Sequence, residues 1–146
     1  MMFVDASAVI AILNREAGYE SLAASIDQAA DGVTFCPIVR FEAVLGLARA
    51  RSLGRTGRTT PEILAETSNV VQLFLDQVGT EEIDVTSEMG HAAIEASSKF
   101  GKAVGHPADL KFGDCFICAC ARARNETLLF IGDDFTKTDA ERAVVP

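Results

Sequence analysis

The stretch from residue 112 to 135, FGDCFICACARARNETLLFIGDDF, constrains the fold more than any other part of the chain. It reads as a turn carrying Asp114, an apolar helix to about Ala123, a short strand Leu128-Leu129-Phe130-Ile131, and a second turn carrying Asp133 and Asp134. A helix that opens on an acid, followed by a strand that closes on one, is how an open α/β sheet brings distant carboxylates to one edge. The rest of the chain is then asked whether it sends more carboxylates there.

At 146 residues, the chain is long enough for one domain over residues 1–146 that buries roughly two thirds of its unfolded surface. Its 49% hydrophobic content, rich in Ala and Val and without Trp, suits a packed helix and sheet interior rather than a disordered chain. The formal charge of -8 argues against a nonspecific coat of nucleic acid. A basic surface is still available, because Arg40, Arg49, Arg51, Arg55 and Arg58 crowd into one segment, although a solvated helix face explains most of them equally well. No apolar run approaches the roughly 20 residues of a membrane span, and Asp5 interrupts the N-terminus at once, so a cytoplasmic protein is expected. Cys36, Cys115, Cys118 and Cys120 read as small apolar residues of a reducing compartment: three share one short helix, and His91 and His106 do not complete a zinc site.

Along the chain, Met2-Phe3-Val4 is a brief strand that ends on Asp5, and the helical Ala8 to Leu13 follows. Asp5 and Ser7 could simply cap that helix, a role worth about 1 kcal/mol. A helix from Tyr19 to Ala30 precedes a second strand, Val33 to Cys36. In the next helix, Ile38, Phe41, Leu45 and Ala48 recur at helical spacing and mark a buried stripe. Glu42 lies about 40° from Ile38 and so borders it. A carboxylate there needs a cation or a salt bridge, for instance to Arg49, and both readings stay open. The segment GRTGRTT from Gly54 is a loop, Thr59 or Thr60 starts a helix that runs to Gly79, and Ile83-Asp84-Val85 is a third strand. Thr86 opens another helix to Phe100, the glycine-rich 101–111 segment is a loop in which His106 is solvated or a base, and Ala143 to Val145 adds an edge strand.

Asp5, Asp114, Asp133 and Asp134 each have a capping explanation alone, but placed together they form a set. Carboxylates converging within about 5 Å raise one another's pKa, a cost that a divalent cation relieves. All-oxygen ligands favour Mg²⁺ or Mn²⁺ over zinc, and such an ion serves phosphodiester hydrolysis.

MMFVDASAVIAILN, VRFEAVLGLARA, GHPADLKFGDCF and LLFIGDDFTKTD together resemble the PIN domain family, specifically the VapC-type toxin ribonucleases of bacterial toxin-antitoxin pairs. The resemblance implies a three-layer α/β/α fold with a mostly parallel central sheet and a Mg²⁺ site, with Mn²⁺ as the alternative, that hydrolyses RNA. It assigns catalytic roles to Asp5, Glu42, Asp114 and Asp134, and metal ligation to Asp5, Asp114 and Asp134, with Asp133 retained beside Asp134. Ser7 becomes a polar neighbour of the metal, and Arg49, Arg55 and Arg58 become candidates for gripping RNA. The implied partners are a VapB-type antitoxin, RNA and a second copy in a homodimer. The chain departs from its relatives at Ile131, where they often carry a basic residue, at Cys36, where they often carry a hydroxyl, and at Val104-Gly105, where they are more basic. Two other classes compete: a haloacid-dehalogenase-like phosphatase, disfavoured by Ser7 where that family has Asp, and a silent partner-binding module.

Overall fold

A computed structural model describes residues 1–52 and 58–146. Its elements in order are β1 (Met2–Val4), α1 (Ala6–Leu13), α2 (Tyr19–Asp27), β2 (Val33–Phe35), α3 (Pro37–Ser52), α4 (Pro61–Val78), β3 (Glu81–Glu82), α5 (Ser87–Phe100), α6 (Phe112–Ala123) and β4 (Thr127–Leu129). A 3₁₀ turn, Lys102–Val104, interrupts the connection between α5 and α6.

The four strands form one parallel sheet in the order β3-β2-β1-β4. The register sets Met2 against Val33 on one side and Thr127 on the other. Strands this short hold a central position because both faces are covered: Phe3, Val4, Phe35, Leu128 and Leu129 are all buried. Each such side chain contributes about 1.5–3 kcal/mol by leaving water. Two successive crossovers step outward from β1 to β3, and the chain then returns past β1 to β4. Right-handed crossovers place α1 to α4 on one face and α5 with α6 on the other, which is the expected α/β/α layering. Contacts of α1 with α2 and α3, of α3 with α4, and of α5 with α6 agree with it. The winding reverses between β1 and β4, so a crevice opens at their carboxyl ends.

Local chemistry explains most boundaries. Asp5 caps α1 by accepting the Ser7 N–H at 2.9 Å. Thr60 and Thr86 cap α4 and α5 in the same way, and Gly79 ends α4 with φ of 70°. The four cysteines are free and buried, in line with their reading as core residues.

Several elements differ from the sequence expectation. The third strand is Glu81–Glu82, not Ile83 to Val85: the edge pairing uses backbone alone and leaves both glutamates exposed, while Ile83 is buried just beyond it. β4 stops at Leu129 because the Ile131 N–H turns away to the Ser7 hydroxyl at 3.1 Å. The C-terminal segment makes one bridge, Leu128 to Arg142, in place of a strand, and the Ala143 N–H bonds Leu128 O at 2.9 Å, covering the outer edge of β4. The 101–111 loop is tied down by a bridge between Gly101 and Leu110. His106 packs edge-on to Phe100 and accepts the Ala108 N–H through Nδ1 at 3.1 Å, so it serves the loop rather than the acids. Among the described residues, no helix is long and apolar enough to cross a membrane.

Candidate active site

The crevice at the carboxyl ends of β1 and β4 is a cavity of about 370 Å³, and Asp5, Ser7, Glu42, Asp114 and Asp134 all line it. Each arrives on a different element. Asp5 is the first residue after β1, Glu42 projects from α3, Asp114 sits in the first turn of α6, and Asp134 lies in the turn that follows β4. Asp133 does not line the cavity; its carbonyl instead accepts the Thr136 hydroxyl at 2.7 Å.

Helix α3 corrects the expected burial pattern. Its buried face is Val39, Ala43, Leu47, Ala48 and Ser52, so Ala48 alone of the expected stripe is in the core, while Ile38, Phe41, Leu45 and Arg49 line the acidic cavity beside Glu42. Phe41 is 64% exposed. The helix is apolar on both faces, so the spacing is right for Ala48 and misplaces what Ile38, Phe41 and Leu45 face. The proposed salt bridge to Glu42 is also missing: among the described residues Arg49 makes no ion pair. Arg40 and Arg51 are engaged elsewhere, with Glu82 and Glu66. Arg58 is exposed and does not line the cavity, and Arg55 lies outside the described residues.

The electrostatics are those of buried carboxyls with like charges nearby. Burial pushes the Asp5 carboxyl up to about 6; bonds from Ser7 pull it down, and Asp114 pushes it up again. Glu42 is pushed up to about 7, first by burial and then by Asp5 and Asp114. Asp114 is raised chiefly by burial, with the Lys111 N–H opposing at 2.8 Å and Asp134 adding to the rise. Asp5 and Asp114 therefore cap helices and also face a shared cavity, so the capping and site readings are both true of them.

Gly113 is a residue that the sequence did not single out. It is buried under Glu42, and a Cβ there would fall 2.6 Å from Glu42 Oε2 and closer still to Oε1. The bare backbone at 113 is what lets α3 lay its carboxylate over the start of α6. Only the adjacency of Gly113 to Asp114 could have hinted at this.

The donor set, four carboxylates and the Ser7 hydroxyl, is all oxygen and suits a hard divalent cation. The side chains share the cavity without being gathered: among the described residues no three His, Cys, Asp or Glu groups are close enough to hold an ion as they stand. The reason is local, since Ser7 engages Oδ2 of Asp5 through N–H and hydroxyl alike, and the Lys111 N–H engages Oδ2 of Asp114. Closing on an ion requires these side chains to turn inward. A larger groove of about 900 Å³ between α5 and α6 is lined by no carboxylate and offers no such chemistry.

Comparison with known proteins identifies the family and the fold. The PIN domain family model matches residues 2–141. A VapC ribonuclease of Rhizobium meliloti is 38% identical over 140 residues, covering 95% of this chain and 99% of that protein. Ribonuclease VapC42 of Mycobacterium tuberculosis is 34% identical over 142 residues, covering 97% and 98%. Among solved structures, Mycobacterium tuberculosis VapC20, a sarcin-ricin loop cleaving toxin, superposes with a TM-score of 0.71 at 17% identity over 100% of both chains. VapBC2 from Rickettsia felis, bound to a DNA fragment from its promoter, gives 0.65 at 18% identity, covering 97% and 96%. With its parallel sheet, its acid-lined crevice and relatives that match it nearly end to end, the chain belongs to the PIN domain family, among the VapC ribonucleases.

Proposed function

We propose that this protein is an endoribonuclease toxin that hydrolyses RNA phosphodiester bonds at the carboxylate cavity. The observation that carries the reading is the meeting of four acids from distant chain positions in one cavity, where burial and neighbouring carboxylates raise Asp5, Glu42 and Asp114. Asp5, Asp114 and Asp134 are the residues we assign to hold a Mg²⁺ or Mn²⁺ ion, with Asp133 outside the set. Such a cation neutralises charge on the phosphate and makes a bound water acidic. Glu42, which titrates near neutrality, is assigned to take the proton of the attacking water. Ser7 orients Asp5 and ties it to the Ile131 backbone, and Arg49 holds a substrate phosphate at the cavity's mouth. With the family established, the phosphatase alternative is set aside.

The partner proposed is a VapB-type antitoxin, in keeping with fold neighbours that are a toxin-antitoxin complex from Klebsiella pneumoniae and VapBC2 from Rickettsia felis. The free toxin is proposed to be a homodimer of one-domain chains in the cytoplasm.

The test is Asp114→Asn, assayed with Mg²⁺ on total RNA and by thermal melting with Mn²⁺. Cleavage should vanish, the fold should persist, and the saturable Mn²⁺ stabilisation of the unaltered protein should weaken. Full cleavage by the variant would overturn the reading.

A further inference from the structure

Two of the nine phenylalanines are exposed, Phe41 at 64% and Phe112 at 73%, and both line the acidic cavity. Leaving a large ring in water forgoes the stabilisation its burial would bring, and the chain does so at these two positions only. Their placement is related. Phe41 precedes Glu42 and Phe112 precedes Gly113, and it is Glu42 and Gly113 that meet where α3 touches α6. Each ring is therefore one residue from the same crossing, on a different helix, at the edge of the carboxylate cavity. Phe112 is also braced: its ring lies 5.0 Å from that of Phe116, tilted by 51°. Arg49, two turns beyond Phe41 on α3, lines the same cavity.

A nucleotide strand presents flat apolar faces joined by anionic links. Aromatic side chains take the faces of unstacked bases, while a guanidinium takes the phosphate. A purely apolar peptide would use the rings but leave the acids and Arg49 without a partner. We infer that Phe41 and Phe112 are stacking platforms for the nucleobases that flank the cleaved phosphate, a role that rests on the ribonuclease reading and adds the residues that position its substrate. Stacking is tolerant of base identity, so these rings set the grip on the strand.

The experiment measures binding of two probes, with Ca²⁺ in place of Mg²⁺: a random-sequence pool of single-stranded RNA decamers, and an abasic ribose-phosphate chain of the same length. The variants are F41L, F112L, F41Y and F112Y; both positions are exposed on helices, so none disturbs the core. The unaltered protein should prefer the pool over the abasic chain, and each Leu variant should lose about tenfold of that preference while each Tyr variant keeps it. Equal preference in the Leu variants would overturn the stacking role and leave the nuclease reading intact. So would Leu variants that bind RNA normally but lose a VapB-type antitoxin, since the rings would then serve the protein partner. Binding of neither probe by the unaltered protein would sink the ribonuclease reading, and the stacking with it.

Discussion

Asp5 and Glu126 are both buried acids, at opposite ends of the neighbouring parallel strands β1 and β4. Glu126 stands just before β4, 7% exposed, and its two oxygens are occupied by the Thr34 hydroxyl and by Arg124 Nε, the latter at 2.8 Å. Asp5 stands just after β1, 5% exposed, and its charged neighbour is another acid, Asp114. The first arrangement is what a fold does with a carboxylate it needs only for structure: it supplies a donor for each oxygen. The second leaves like charges facing each other, a cost that makes sense where something positively charged is meant to arrive. The presence or absence of a compensating cation separates scaffold from site more sharply than burial does.

That contrast can be broken most decisively at Asp5. Asp5→Asn keeps the cap on α1, because Asn caps as well as Asp, yet removes a charge from the cavity. RNA cleavage should fall by about a hundredfold or more, the usual cost of losing a positioned acid-base or ligand group, while the melting temperature without metal holds or rises. A variant that cleaves normally would place Asp5 with Glu126 among the structural acids.

Titration sharpens the same point. Asp5 and Glu42 have folded-state pKa values above their ordinary 3.8 and 4.5, so their contribution to stability is full below about pH 4 and is lost as pH rises through about 6 and 7. In EDTA, the unaltered protein should lose about 2 kcal/mol across that window relative to an Asp5→Asn, Glu42→Gln double variant, chiefly through buried Asp5. Denaturant melts at pH 4.5 and 8 measure the difference; parallel curves would show that the two carboxyls are not raised by their surroundings.

On the paired side, Thr34→Val removes the hydroxyl from Glu126 and should destabilise by about 1–2 kcal/mol, the lower part of the range for an unsatisfied buried group because Arg124 still holds the other oxygen. Cleavage per folded molecule should not change. The smallest expected effect distinguishes neighbours in one turn: Asp134→Asn should slow cleavage roughly tenfold or more, whereas Asp133→Asn should stay within about twofold, since only Asp134 lines the cavity. Reversed values would move the fourth acid one residue back.

Much of this was legible before any coordinates, and the physical reasons are specific. β1 and β4 stand out as short apolar runs closed by acids, and α6 as an apolar helix opening on Asp114, because burial on both faces of a parallel sheet leaves no alternation to confuse them. β3 was misplaced because Glu81 and Glu82 pair through backbone while their side chains face water, so nothing in their character announces a strand. The orientation of α3 was hidden by a second apolar stripe, Val39-Ala43-Leu47, beside the one that spacing picked out. Periodicity detects a face; it does not say whether that face meets the core or a substrate. Gly113 was invisible for a related reason, since its importance lies in an atom it lacks.

That missing atom makes the crossing of α3 and α6 a point of asymmetric fragility. The obstacle a methyl group at 113 would strike is the tip of a long, hinged side chain, so Glu42 can swing aside and the scaffold survives, yet its carboxylate leaves its place over the start of α6. Given the role proposed for Glu42, one codon change at 113 would touch no acid, spare the folded chain and still silence cleavage.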